Sequence, residues 1–181
     1  MPSGKIARLL VIVLGLLVFP QLPHASESNP VPADLGTATL ISAVEATGSL
    51  ARIPLGLHIT LPKGWKTYWR SPGDAGLPAR IDWSGSSNLA DAEVRWPIPE
   101  RFSLFGLETF GYERELVLPI TARPEKPGEA LRLEASVDYL VCKEICVPIT
   151  TALKLDLPAG PARPSEAAHL IDRKSTRLNS S

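Results

Sequence analysis

Cys142 and Cys146 are the only two cysteines in the chain, and three residues separate them. Thiols at this spacing can close a small disulfide, exchange that bridge with the thiols of a partner, or bind a soft metal. Exchange needs no organic cofactor and no metal. A thiolate attacks a disulfide sulfur and forms a mixed disulfide, which a neighbouring second thiol resolves at high effective concentration. As a structural staple the ring is weak, contributing about 2 kcal/mol in the loop-entropy picture. A copper carrier would want histidine or methionine beside the pair. The single methionine is Met1, and His24, His58 and His169 all lie far from the pair in sequence. Lys143 favours a thiolate at Cys142 and Glu144 opposes one, although both also fit a solvated turn. These residues alone leave a structural bridge and a redox pair open.

The elements around the pair read as strands. Leu131, Leu133, Ala135, Val137, Tyr139 and Val141 alternate with Arg132, Glu134, Ser136 and Asp138. A period of two marks a half-buried strand. The run from Val147 to Leu157 is again β-branched and apolar and stops at Pro158. The simplest arrangement is a hairpin with Lys143-Glu144-Ile145 at its tip and the cysteines facing across its neck. Facing Cα atoms in an antiparallel pair lie about 4.5–5.5 Å apart, within disulfide reach. A bulge at a three-residue tip would change the facing pair.

Elsewhere, strands are expected over Thr37–Ala46, Ala51–Leu61, Ala79–Trp83, Ala92–Trp96 and Glu115–Ala122. Pro54 marks the second as an edge strand or a bulge. The 18 prolines are scattered, which disfavours long helices. Several short strands at regular spacing predict an all-β domain, an immunoglobulin-like β-sandwich. Two stretches read as loops. Pro62–Pro78 holds Trp65, Tyr68 and Trp69 among turn formers, with the rings capping one end of the sandwich. Trp96–Tyr112 is long, aromatic and punctuated by glycine, and long loops are often functional.

The chain divides into three parts. Residues 1–25 read as a signal peptide: Lys5 and Arg8 precede an apolar run from Leu9 to Phe19, followed by Pro20, Pro23 and Ala25. The run is too short to span a bilayer, although an uncleaved anchor is the other reading of it. A cut after Ala25 would leave Pro23 where a small residue is preferred. Either way the domain at 26–160 is exported, where disulfides persist. Residues 161–181 form a linker and a polar end unlike the rest, resembling a translated adaptor, so the chain reads as a fragment. With 19 basic and 19 acidic residues and no basic run, nothing points to nucleic acid. No motif for a serine nucleophile or a carboxylate pair surrounds His58.

Four motifs in order, Gly64-Trp-Lys-Thr-Tyr-Trp-Arg-Ser-Pro-Gly-Asp-Ala-Gly-Leu-Pro78, Trp96-Pro-Ile-Pro99, Phe110-Gly-Tyr112 leading to Leu118-Pro-Ile120, and Tyr139-Leu-Val-Cys-Lys-Glu-Ile-Cys-Val-Pro148, carry a resemblance. Together they resemble the amino-terminal exported domain of the DsbD/ScsB-type thiol:disulfide interchange proteins over nearly all of Thr37 to Leu157. The resemblance implies a protein-disulfide reductase component without cofactor or metal. A thioredoxin-like domain, itself supplied by a membrane electron-transfer domain, would reduce the pair. The pair would then reduce periplasmic thiol proteins such as disulfide isomerases and cytochrome c maturation factors. By the same resemblance Cys146 forms the mixed disulfide and Cys142 resolves it. Better-studied members space the pair more widely. Members also shield the pair with an aromatic cap loop. Phe105 is the first choice for that ring and Phe102 the second, with Ser103-Leu104 standing where some members carry an acidic pair. The alternative is an exported binding sandwich with a structural disulfide.

Overall fold

The computed structural model describes residues 35–104 and 106–172. It is built of ten strands: β1 (Thr37–Ser42), β2 (Ile53–Thr60), β3 (Lys66–Gly73), β4 (Arg80–Asp82), β5 (Leu89–Val94), β6 (Glu100–Leu104), β7 (Leu107–Glu113), β8 (Glu115–Pro124), β9 (Leu131–Cys142) and β10 (Cys146–Leu157). They form two antiparallel sheets, one in the order β1-β2-β8-β5 and the other β10-β9-β3-β7-β6, with β4 also paired to β9. This is the all-β, immunoglobulin-like sandwich that the spacing of short strands predicts. The signal-peptide reading of 1–25 and the end of the chain from 173 lie outside the described residues.

Alternation sets the layers. On β9, Leu131, Leu133, Ala135, Val137, Tyr139 and Val141 are each at most 3% exposed. They meet Ile53, Leu55, Leu57, Ile59, Leu118 and Ile120 of the other sheet in one apolar core. Burying such side chains stabilises the sandwich by about 1.5–3 kcal/mol apiece before entropy is counted. The opposite face of β9 is solvated, and its partners come from β10: Arg132 lies 3.7 Å from Asp156, and Thr150 donates to Asp138 at 2.6 Å.

Pro54 does not mark an edge, because β2 lies between β1 and β8. The strand accepts it because β1 pairs only as far as Leu55, leaving no ladder donor to lose. The Pro54 carbonyl still accepts from Ala43 N–H at 2.9 Å. The first strand stops at Ser42, short of Ala46, where the Ser42 hydroxyl takes the Val44 N–H at 3.1 Å and bends the chain.

The two expected loops are largely strand. β3 occupies Lys66–Gly73, and β6 (Glu100–Leu104) and β7 (Leu107–Glu113) form a hairpin over most of the second stretch. In the first, Trp65, Thr67 and Trp69 alternate with Lys66, Tyr68 and Arg70, a period-two signal followed at once by Pro72, Gly73 and Gly76. In the second, Gly111 serves strand pairing rather than a turn. A Cβ there would lie 2.0 Å from the Thr67 carbonyl oxygen, so only glycine lets β7 approach β3 this closely. After β10 the chain folds back, with Ser165 N–H donating to Ala43 at 2.9 Å and Ile171 buried in a last helical turn at 168–172.

Candidate functional site

β9 and β10 pair from Leu131↔Leu157 to Cys142↔Cys146 without a shift in register. The tip is Lys143-Glu144-Ile145, closed by Lys143 N–H donating to the Ile145 carbonyl at 3.0 Å. The cysteines therefore face each other across the neck, 4.1 Å apart at Cα, and form a disulfide. The pair is asymmetric. Cys142 is 2% exposed, whereas Cys146 is exposed.

Cys142 breaks the alternation of its own strand. It follows the inward-facing Val141, so it points to the outer face, and yet it is buried. Its cover comes from neighbouring strands. Lys66 is the register partner of Cys142 on one side and of Glu113 on the other. Side chains of register partners leave the same face of a sheet. Tyr68, two residues along β3, shares that face. So do Thr109, two pairs of residues before Glu113 on β7, and its partner Phe102 on β6. The row Cys146, Cys142, Lys66, Thr109 and Phe102 thus crosses β10, β9, β3, β7 and β6 in spatial order.

Contacts knit this row together. The Tyr68 hydroxyl lies 3.7 Å from Cys146 Sγ. The Lys66 ammonium donates to Thr109 Oγ1 at 3.2 Å and stands 4.9 Å from the Phe102 ring centre and 5.8 Å from that of Tyr68. Both are cation–π distances. Lys66 is only 8% exposed, Tyr68 and Thr109 each 4%. Burial pushes the Lys66 ammonium below the usual lysine range, partly opposed by the charge of Glu113, and pushes the Tyr68 phenol up. A turn holds Tyr68 in place. Gly76 has φ +108°, and a Cβ there would come within 2.4 Å of the Tyr68 ring.

Of the residues singled out from sequence, Cys142 and Cys146 come together at the hairpin neck. Phe102 is half-buried and reaches the cluster through Lys66, while Phe105 lies outside the described residues. Trp65 and Trp69 pack against the core, whereas Tyr68 turns to the cysteines. Lys143 and Glu144 are exposed at the tip. His58 is a strand residue, 3.0 Å from Glu115 Oε1. Sequence reasoning missed Lys66 and Thr109. The alternation about Trp65 and Trp69 carried the signal for Lys66, which shares a face with Tyr68; nothing in sequence carried one for Thr109.

Comparisons with known proteins place the chain in a family. The sequence model of the family described as thiol:disulfide interchange protein DsbD, N-terminal, matches residues 38–158. The crystal structure of the N-terminal periplasmic domain of ScsB from Proteus mirabilis matches with a TM-score of 0.67 at 26% identity. That match covers 84% of this chain and 59% of the ScsB one, so the chain spans less than two thirds of its length. The reduced N-terminal domain of DsbD from Neisseria meningitidis matches with a TM-score of 0.39 at 15% identity, covering 75% of this chain and 95% of that one. No curated protein matches.

Proposed function

This chain belongs to the family of DsbD N-terminal thiol:disulfide interchange domains, and we propose that it is a periplasmic relay that works through Cys142 and Cys146. A thioredoxin-like domain reduces the bridge, drawing its electrons from a membrane domain of the full-length protein. The resulting dithiol reduces exported thiol proteins. Residues 1–25 direct export and 26–160 form the exchange domain, against which the segment around Arg163 and Ser165 folds back.

One observation carries this reading: the unequal exposure of the two sulfurs. Cys146, exposed and contacted by the Tyr68 hydroxyl, is open to an incoming thiolate. Cys142, 2% exposed under Lys66, is open only to its neighbour. Cys146 therefore enters the mixed disulfide, and Cys142 resolves it in the outgoing half-reaction. Ile145, 71% exposed beside Cys146, offers an apolar foothold for a partner. Phe102 on the β6–β7 hairpin covers the far side of the cluster, and Phe105, three residues on in sequence, is the cap residue.

The test is the reduction potential of the pair in the purified protein, by equilibration with glutathione or dithiothreitol and thiol trapping. A value between about −120 and −270 mV is expected of a relay. A value below about −300 mV would make the bridge structural, and the protein an exported binding sandwich.

A further inference from the structure

Lys66 is a buried cation for which the fold supplies no anion. Among the described residues no carboxylate comes within ion-pair distance of its ammonium; its contacts are the Thr109 hydroxyl and the faces of Phe102 and Tyr68. Glu113, its register partner, acts on it only at longer range, and the titratable group it directly faces is the Tyr68 phenol, whose ring centre is 5.8 Å away. A buried charge without a counter-ion is unfavourable. Apolar packing alone would be served better by methionine or leucine.

The missing anion appears when the disulfide opens. In the incoming half-reaction, in which electrons enter the pair, a donor thiolate attacks Cys146 Sγ. A new intermolecular S–S bond forms as the Cys142–Cys146 bond breaks, and its electron pair leaves on Cys142 Sγ as a thiolate. A second donor thiolate then attacks the donor's own sulfur in the mixed disulfide, releasing Cys146 and carrying away the donor as its disulfide. The Cys142 thiolate forms beside the side chain that is its register partner, Cβ to Cβ about 4.5–5.5 Å away, on a lysine stem long enough to bring Nζ across from Thr109.

We infer that Lys66 is a positioning residue for thiol-disulfide exchange: its buried ammonium is the counter-ion of the Cys142 thiolate and makes the pair easier to reduce. The oxidised domain leaves the ammonium on a hydroxyl and two rings; the reduced domain pairs it with sulfur. Lys66 thereby favours the reduced state and speeds departure of Cys142 in the first attack, because a better-stabilised thiolate leaves faster. This inference rests on the exchange reading.

The experiment compares the wild-type protein with Lys66→Met, Lys66→Gln and Lys66→Arg, each equilibrated with glutathione and trapped. Gln keeps a donor for Thr109 without the charge, and Met keeps the apolar stem. Circular dichroism and thermal melts establish that each variant is folded, so loss of one neutral variant leaves the other to decide. Both neutral forms are expected to shift the exchange constant about tenfold towards the disulfide, equivalent to about 30 mV for two electrons, with slower reduction by dithiothreitol. Arg is expected to stay within about threefold of wild type. Neutral variants indistinguishable from wild type, or Arg shifting as far as Met, would overturn the counter-ion role. The two ideas fail separately: the absolute potential of the wild type judges the exchange reading, and the difference between variants judges Lys66.

Discussion

The two faces of β9 are buried for different reasons. On the inner face six alternating residues, Leu131 to Val141, are covered along the whole strand by the opposite sheet. On the outer face Arg132, Ser136 and Asp138 lie in solvent, and burial appears only at the end, at Cys142. The inner burial follows from area: apolar side chains leave water wherever a second sheet is available. The outer burial is local, where Lys66, a register partner from a strand far away in sequence and itself set among Tyr68, Thr109 and Phe102, lies beside Cys142. The first makes a stable domain; the second makes one sulfur different from the other.

That contrast can be broken most completely at the cysteines. With a thiol-reactive partner disulfide, Cys142→Ala is expected to accumulate a mixed disulfide through Cys146, while Cys146→Ala forms almost none, as read by non-reducing electrophoresis and mass. Equal trapping by both variants would remove the functional asymmetry between the sulfurs. Next in size is an inner-face deletion. Leu133, fully buried, is expected to lose about 3 kcal/mol of stability on change to Ala, measured by urea unfolding, while the reduction potential of the pair stays unchanged. A large shift in potential would mean that the two faces are coupled.

The inner face also carries an alkaline weakness. Tyr139 is 3% exposed, its hydroxyl has no hydrogen-bond partner among the described residues, and burial pushes its phenol up to about 12. The unfolded chain loses this proton near pH 10 and the folded one only near 12. Stability is therefore complete below pH 10 and is lost as pH rises through 12, by on the order of 2–3 kcal/mol. Tyr139→Phe is expected to remove this component of the pH dependence and to stabilise the domain slightly at neutral pH, as urea midpoints across pH will show.

A smaller change sharpens the outer cover. Gly76→Ala, at a positive φ and against the Tyr68 ring, is expected to destabilise by about 1–2 kcal/mol. By displacing Tyr68 it should also speed reduction of the bridge several-fold in a dithiothreitol time course. The smallest effect belongs to the solvated part of the outer face. Glu134 lies 3.1 Å from Lys154 and 3.3 Å from Arg132, yet exposed pairs of this kind contribute little. Glu134→Gln should leave the urea midpoint unchanged.

Legibility in the sequence follows the same division. The β9–β10 hairpin, its tip and its facing cysteines were readable because each strand carries its own period of two and the loop is three residues long. β3 and the β6–β7 hairpin were obscured because their strand signal runs into clusters of proline and glycine, which read as loop. Pro54 misled because the rule against proline concerns a lost donor, and on β2 the neighbouring ladder ends before that donor is needed. Phe102 was found through family resemblance, and its contact with Lys66 became visible only with the sheet assembled.

By itself the sequence determined a β-sandwich and two cysteines at a hairpin neck, because side-chain alternation and a short loop act between near neighbours. Only the tertiary structure decided that Cys142 is covered and Cys146 open. That depends on β3, β7 and β6 being laid side by side against β9, and on the register that sets Lys66 opposite Cys142. Register between distant strands is fixed by burial of the whole core face, where a one-residue slip would turn every apolar side chain outward, and no local pattern encodes which distant residue then arrives beside the sulfur.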